Sequence, residues 1–344
     1  MSSKRFAGIF PKTITWHSLG LVRKGVLALC VVYLIVVLAL GFYWSAEPAP
    51  FDVRQNAQAK LPDADPVVGA TTAAALITAA ETMLDKPGGF LSNDIAPPGL
   101  YLDNIPNWEY GVLIQVRDLA AAFRQNFSRS QSQSTEDPDL LIVEPRFNFT
   151  NDSWILPASE AEYRRAINSM SSYLSRIADP MEQDAQFFAR ADNLSRWLAN
   201  VESRLGSLSQ RLSASVGQSQ VNVDTAGERN AVQSTSVPSQ RLVKTPYTQV
   251  DDVFYEARGA TWALMHFLRA VEVDFDAVLR DKNALVSVRQ IIRELEASQR
   301  TVLSPFILNG GGFGFFANHS LVMANYISRA NAAIIDLREL LNQG

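Results

Sequence analysis

Cysteine is nearly missing from this chain. Cys30 is the one thiol in 344 residues, and it sits inside an apolar run. An internal disulfide is therefore impossible, and so is a metal site built on several cysteines. Acidic side chains are missing from the start of the chain, where the first is Glu47. Histidine is scarce, with three in total, and beyond residue 44 only His266 and His319 occur. Neither has a ligand partner at helical spacing, so no metal and no cofactor are expected. Gly-x-Ser-x-Gly and His-Glu-x-x-His are both absent, which removes the usual signatures of hydrolases and zinc peptidases. Strand-type alternation of any length is also lacking.

What is present begins with GVLALCVVYLIVVLALGFYW, residues 25 to 44, twenty positions without a charge. As a helix it spans about 30 Å, enough to cross a hydrocarbon core. Tyr43 and Trp44 close one end, where amphipathic rings favour the interface. Lys4, Arg5, Lys12, Arg23 and Lys24 precede it with no acid among residues 1 to 24. The charge bias predicts a short basic cytoplasmic tail (1–24), a transmembrane helix (25–44) and everything else outside the cytoplasm. A cleaved signal peptide is the rival, but its apolar core is shorter. Beyond the span, 26 basic residues (31 less those five) face 35 acids, a net charge of −9. That surface does not favour nucleic acid.

Residues 45 to 68, with four prolines and scattered charge, read as an extended tether. Residues 69 to 344 read as one helical domain. A first helix is predicted from Thr71 to Lys86. A second starts near Asn107, with Val112, Val116, Leu119 and Phe123 as its seam. Leu140 to Glu144 is a short helix or strand. Ser159 with Glu162 reads as a capping box opening the next helix. Phe187, Ala191, Leu194, Leu198, Val201, Leu205, Leu208 and Leu212 then step by four and three over more than three heptads. That is a helix-packing seam, inside a bundle or between copies in a homo-oligomeric coiled coil. The polar stretch at about 217–246 has no helical period and reads as a flexible loop. Val250 to Leu279, apolar nearly all round at its centre, is the predicted hub. A last helix carries Met323, Ile327, Ala330, Ile334, Leu337 and Leu341. The predicted fold is all-α: an antiparallel bundle of long heptad-patterned helices behind one anchor.

Two loops are rich in large apolar residues, Phe90 to Gly111 and Phe147 to Pro157, and the first is expected to pack on the helices. The runs SNDIAPPGLYLDNIPNWEYGVLIQVRDL, FSRSQSQSTEDPDL and SWILPASEAEYR resemble the bacterial inner-membrane family catalogued as domain of unknown function 2333. The resemblance implies a proteobacterial envelope protein with one N-terminal anchor. It brings no activity and no functional residues with it.

Candidate chemistry is sparse. Gly310 to Gly314 is glycine-rich but lacks the Lys of a phosphate loop. It reads as a turn whose Phe313, Phe315 and Phe316 fold back on the bundle. Ser128, Arg129, Gln131 and Gln133 form a polar run that offers donors to a ligand such as glycan. His319, beside a helix N-terminus, is positioned to act as a base, with Asn318 as cap. His266 reads as a core residue. Glu109, Glu136, Asp137 and Glu144 are carboxylates available for a glycosidase pair, if two lie at the required separation. The leading expectation is a structural or interaction component of the envelope, contacting the lipid bilayer and an envelope protein partner. A ligand-binding or sensory module comes second and a cell-wall hydrolase third.

Overall fold

The computed structural model describes residues 20–62, 67–130, 135–179, 181, 184–221, 240–304, 306–312 and 314–343. Gln131, Gln133, Phe313, most of the basic tail and the centre of the 217–246 segment lie outside these residues.

Helix α1, Leu21–Trp44, contains the predicted span and begins one turn earlier. None of its residues is buried, and it is long and apolar enough to cross a membrane. The next segment departs from the expected tether. Asp52 accepts hydrogen bonds from the Arg54 and Gln55 amides at 2.9 and 2.8 Å and opens α2, Val53–Lys60. That cap satisfies orphan amides at a helix start. Helix α2 lies on α3, Ala70–Asp85, through Asn56–Thr78 at 2.5 Å and Lys60–Glu81 at 2.7 Å. The prolines at its flanks masked a short helix that finds its partner in the fold. Alanine-rich α3 is buried on nearly every side, because its small side chains admit neighbours all round.

Helix α4, Asn104–Ala122, runs into a π-helical turn, Phe123–Phe127. Then come α5, Leu140–Phe147, and α6, Ser159–Ala178. The expected capping box at Ser159 does not form. Ala158 holds the cap position, Ser159 bonds back to the Thr150 and Ser153 carbonyls, and Glu162 takes Arg146 and Arg165. Helix α7, Ala191–Ser213, carries the leucine seam, and Leu194, Leu198, Val201, Leu205, Leu208 and Leu212 are all buried. Its main partner is the last helix of the same chain, so this seam has no free face for a second copy.

Two short antiparallel strands follow, β1 at Gln218–Val221 and β2 at Gln240–Val243, where only a loop is expected. They are a local ribbon, too short to show alternation, and leave the fold all-α. The predicted hub is α8, Val250–Asp274, ending five residues early. Phe275 breaks it by turning into a buried cluster with Phe127 and Phe187, 5.5 and 5.6 Å away. Helices α9, Asp276–Asp281, α10, Leu285–Ser298, and α11, His319–Asn342, complete eleven helices among the described residues.

The ends of the bundle follow from side-chain pairs. Asn107 meets Asp252 and Phe127 meets Phe275, so α4 and α8 run parallel. They approach so closely that a Cβ on Gly111 would overlap the Glu256 carbonyl, and one on Gly259 the Trp108 carbonyl. Only glycine permits that backbone contact. Thr72 meets Asp274 at 2.6 Å, so α3 runs antiparallel to both. One end therefore gathers the close of α3 and the starts of α4 and α8. Arg211–Glu256 brings the close of α7 there, Arg258–Ser298 the close of α10, and His319–Phe254 the start of α11. Helix α1 joins the bundle at this same end.

Candidate functional site

The junction between α1 and the bundle joins polar groups from several elements. Trp44 lies against Gly88, where a Cβ would sit 2.8 Å from the indole and φ is +90°. Glycine serves there twice, for the turn and for the ring's seat. Gly41 faces Pro98 and Leu102. Three residues past Trp44, Glu47 receives the Arg258 guanidinium, whose Nε lies 3.1 Å from both carboxylate oxygens. Arg258 is itself buried on the hub and also donates to the Ser298 and Arg300 carbonyls at 2.9 and 2.8 Å.

Four residues further, the Phe51 amide donates to His266 Nε2 at 3.0 Å. His266 Nδ1 lies 2.7 Å from the Trp262 carbonyl. The ring is therefore the neutral tautomer with its proton on Nδ1, since Nε2 must accept. The Phe51 ring stacks on the imidazole at 3.9 Å. Burial lowers the His266 pKa to about 4, with the Trp262 carbonyl opposing the shift and Arg269 adding to it.

The loop that seats Trp44 is held from below by a buried ion pair. Lys86 reaches Glu109 and the Gly89 carbonyl, while Glu109 also accepts from the Leu91 and Ser92 amides at 2.8 Å and from Ser92 Oγ at 2.5 Å. Burial pushes the Glu109 carboxyl up from its ordinary value, and Lys86, Ser92 and the Leu91 amide pull it back. With every neighbour donating, the ionised form is the one the pocket fits.

The described residues singled out in the sequence stand at both ends of the bundle. Ser128 Oγ bonds its own helix at the Arg124 carbonyl, and Arg129 lies 3.6 Å from Glu136. Both stand at the end away from α1. His319 stands at the other end, and the α8 residues that mark the two levels, Phe254 and Phe275, are about 30 Å apart along the helix. His319 Nδ1 accepts from the Leu308 amide at 3.2 Å and Asn318 caps α11 through the Leu321 amide at 2.8 Å, so both staple a loop. Two of the four carboxylates meet on one arginine. Glu136 and Glu144 share Arg124, Asp137 binds Arg176, and Glu109 belongs to the junction. Among the described residues no three His, Cys, Asp or Glu side chains could hold a metal ion. A cleft of about 450 Å³ lies beside α2, lined in part by Arg54, Leu61, Val67 and Asp274. The sequence reading missed the junction, because Glu47 and Arg258 are 211 residues apart and Phe51 and His266 are 215 apart.

The His266 geometry fixes a pH dependence. The unfolded chain carries a histidine of ordinary pKa near 6.5, the folded one a pKa of about 4. Between those values the unfolded state binds more protons, so stability is intact above pH 6.5 and falls as pH drops towards 4. A shift of that size corresponds to about 3 kcal/mol when fully expressed. Melting the full chain in detergent between pH 7.5 and 4.5 measures it, with His266→Gln to separate it from the buried carboxylates. The wild-type chain is expected to lose more stability over that window than the variant. Equal losses would refute the assignment.

No curated protein and no solved structure matches the chain. The family model DUF2333, described as an uncharacterized protein conserved in bacteria, matches residues 16–344. By sequence, then, this helical protein belongs to the bacterial family DUF2333.

Proposed function

We propose that this is a single-pass inner-membrane protein, N-terminus in the cytoplasm and bundle in the periplasm, acting as a structural or interaction component of the cell envelope. The observation that carries the reading is the junction. The segment after α1 is not a free linker: Trp44, Glu47 and Phe51 each bind a separate part of the bundle within eight residues. A fixed join holds the bundle at a set height and orientation, which serves a protein that presents a face to a partner. The basic residues before the span, with no acids among them, support the orientation.

Alkaline phosphatase fused after Gly344 tests the topology, since it becomes active only outside the cytoplasm. Activity is expected in intact cells, and a fusion inactive there but stably made would overturn the orientation. Purification after in-membrane crosslinking tests the role, with a stoichiometric envelope partner as the expected result.

A further inference from the structure

Beyond α1, six described aromatic side chains have more than half their surface exposed: Tyr101, Trp154, Tyr247, Phe306, Phe315 and Phe316. All six belong to loops at the end of the bundle that α1 joins. Tyr101 lies beside Leu102, which touches Gly41 of the anchor. Trp154 follows Ser153, whose carbonyl accepts from Asn93 at 2.8 Å, next to Ser92 of the Glu109 pocket. Tyr247 stands in the turn that leads directly into α8. Phe306, Phe315 and Phe316 stand in the loop between α10 and α11, both of whose flanks reach this end. Phe315 and Phe316 thus reverse the expectation that they fold back on the bundle. Asn309 bridges to Asn318, the Asn318 amide reaches the Gly310 carbonyl at 2.7 Å, and His319 fastens Leu308, so the loop is clasped with its rings outward. The aliphatic residues Leu156, at 90% exposure, and Leu303, at 94%, extend the same rim. At the opposite end the large exposed residues are aliphatic or Met, such as Met181 and Val286.

A soluble surface rarely gathers so many exposed rings at one pole. Aromatic side chains concentrate where protein meets the headgroup layer of a bilayer. We propose that this rim is a lipid-contact surface, whose aromatic loops enter the headgroup region of the same bilayer that α1 enters. The proposal rests on the reading of α1 as a membrane anchor. That anchor selects the occupant, because a helix leaving the bundle at this pole brings its bilayer there. The attraction is apolar rather than ionic. Residues 301–328 contain no Asp, Glu, Lys or Arg, and the acids Asp94, Asp103 and Asp152 outnumber Lys244 and Arg300 on the neighbouring loops.

The test uses the full chain in vesicles of phosphatidylcholine, which has no net charge. In a Cys30→Ser background, single cysteines carrying an environment-sensitive fluorophore replace Tyr101, Leu156 and Phe316 at the rim. Met181→Cys and Val286→Cys report the far end, and Val32→Cys reports the span. Lipids bearing a nitroxide near the headgroup supply the quencher for the bundle probes, and lipids bearing one deep on the acyl chain supply it for Val32→Cys. Rim probes are expected to show about a twofold loss of emission, as for groups held about 5 to 10 Å into the boundary, with the far-end probes unaffected. Rim probes as bright as those at Met181 and Val286, with Val32→Cys quenched, would overturn the lipid contact, keep the anchor and assign the rim to a protein partner. An unquenched Val32→Cys would instead defeat the anchor reading. Quenching at rim and far end alike would also overturn the proposal, because the bundle would then lie flat on the surface.

Discussion

Glu109→Ala is expected to destabilise the chain by about 3–5 kcal/mol, the usual cost of removing one partner from a buried ion pair. Lys86 would keep its charge at 6% exposure with only the Gly89 carbonyl as partner among its described contacts. The Leu91 and Ser92 amides would lose their acceptor as well. In a thermal melt of the detergent-solubilised chain this corresponds to a drop of about 10 °C. The double change Lys86→Met with Glu109→Leu removes both charges and keeps the volume, so it should recover the part of the loss that comes from the unpaired lysine, though not that from the Leu91 and Ser92 amides. Equal melts for the single and double variants would show that charge burial is not what the pocket balances. The effect should also extend outward, because the loop that this carboxylate holds is the one that seats Trp44.

Leu198→Ala and Leu205→Ala are each expected to cost about 2–5 kcal/mol, from lost burial plus the cavity left behind. Both side chains are fully buried against neighbours of the same chain, so the loss appears in a verified monomer and does not depend on concentration. Leu303→Ala, at a side chain 94% exposed, serves as the control and should leave the melt unchanged. Unchanged melts for the two α7 variants would mean that the seam packs elsewhere, between copies.

Those two leucines show why part of the fold is legible from sequence. A helix that buries one face repeats its apolar residues every three or four positions, so the α7 and α11 seams and the apolar hub announce themselves locally. Helix α2 did not, because its signal is one Asp52 cap and a half-apolar face that matters only once α3 is beside it. Ser159 shows the converse. Its sequence fits a capping box, but Arg146 from the preceding helix claims Glu162 and the box cannot close. The junction was illegible for a third reason. Glu47–Arg258 and Phe51–His266 join residues more than two hundred positions apart, and no local pattern encodes such a pairing. Phe315 and Phe316 depart from the soluble-protein rule that apolar means inward, at a pole that α1 also occupies.

The seating of Trp44 and Glu47 carries one further consequence. With α1 in a bilayer, the helix adjusts its tilt to the local thickness, and tilts near 20° are common. A free linker would absorb that change. A clamped one passes it to the whole bundle. Helix α8, at 25 residues, is about 37 Å long, so a 20° rotation about the junction carries its far end sideways by about 13 Å. The same rotation presses one side of the rim deeper and lifts the other. Bilayer thickness would then set where the distal face is found relative to the membrane, turning the protein into a lever whose short arm lies in the lipid.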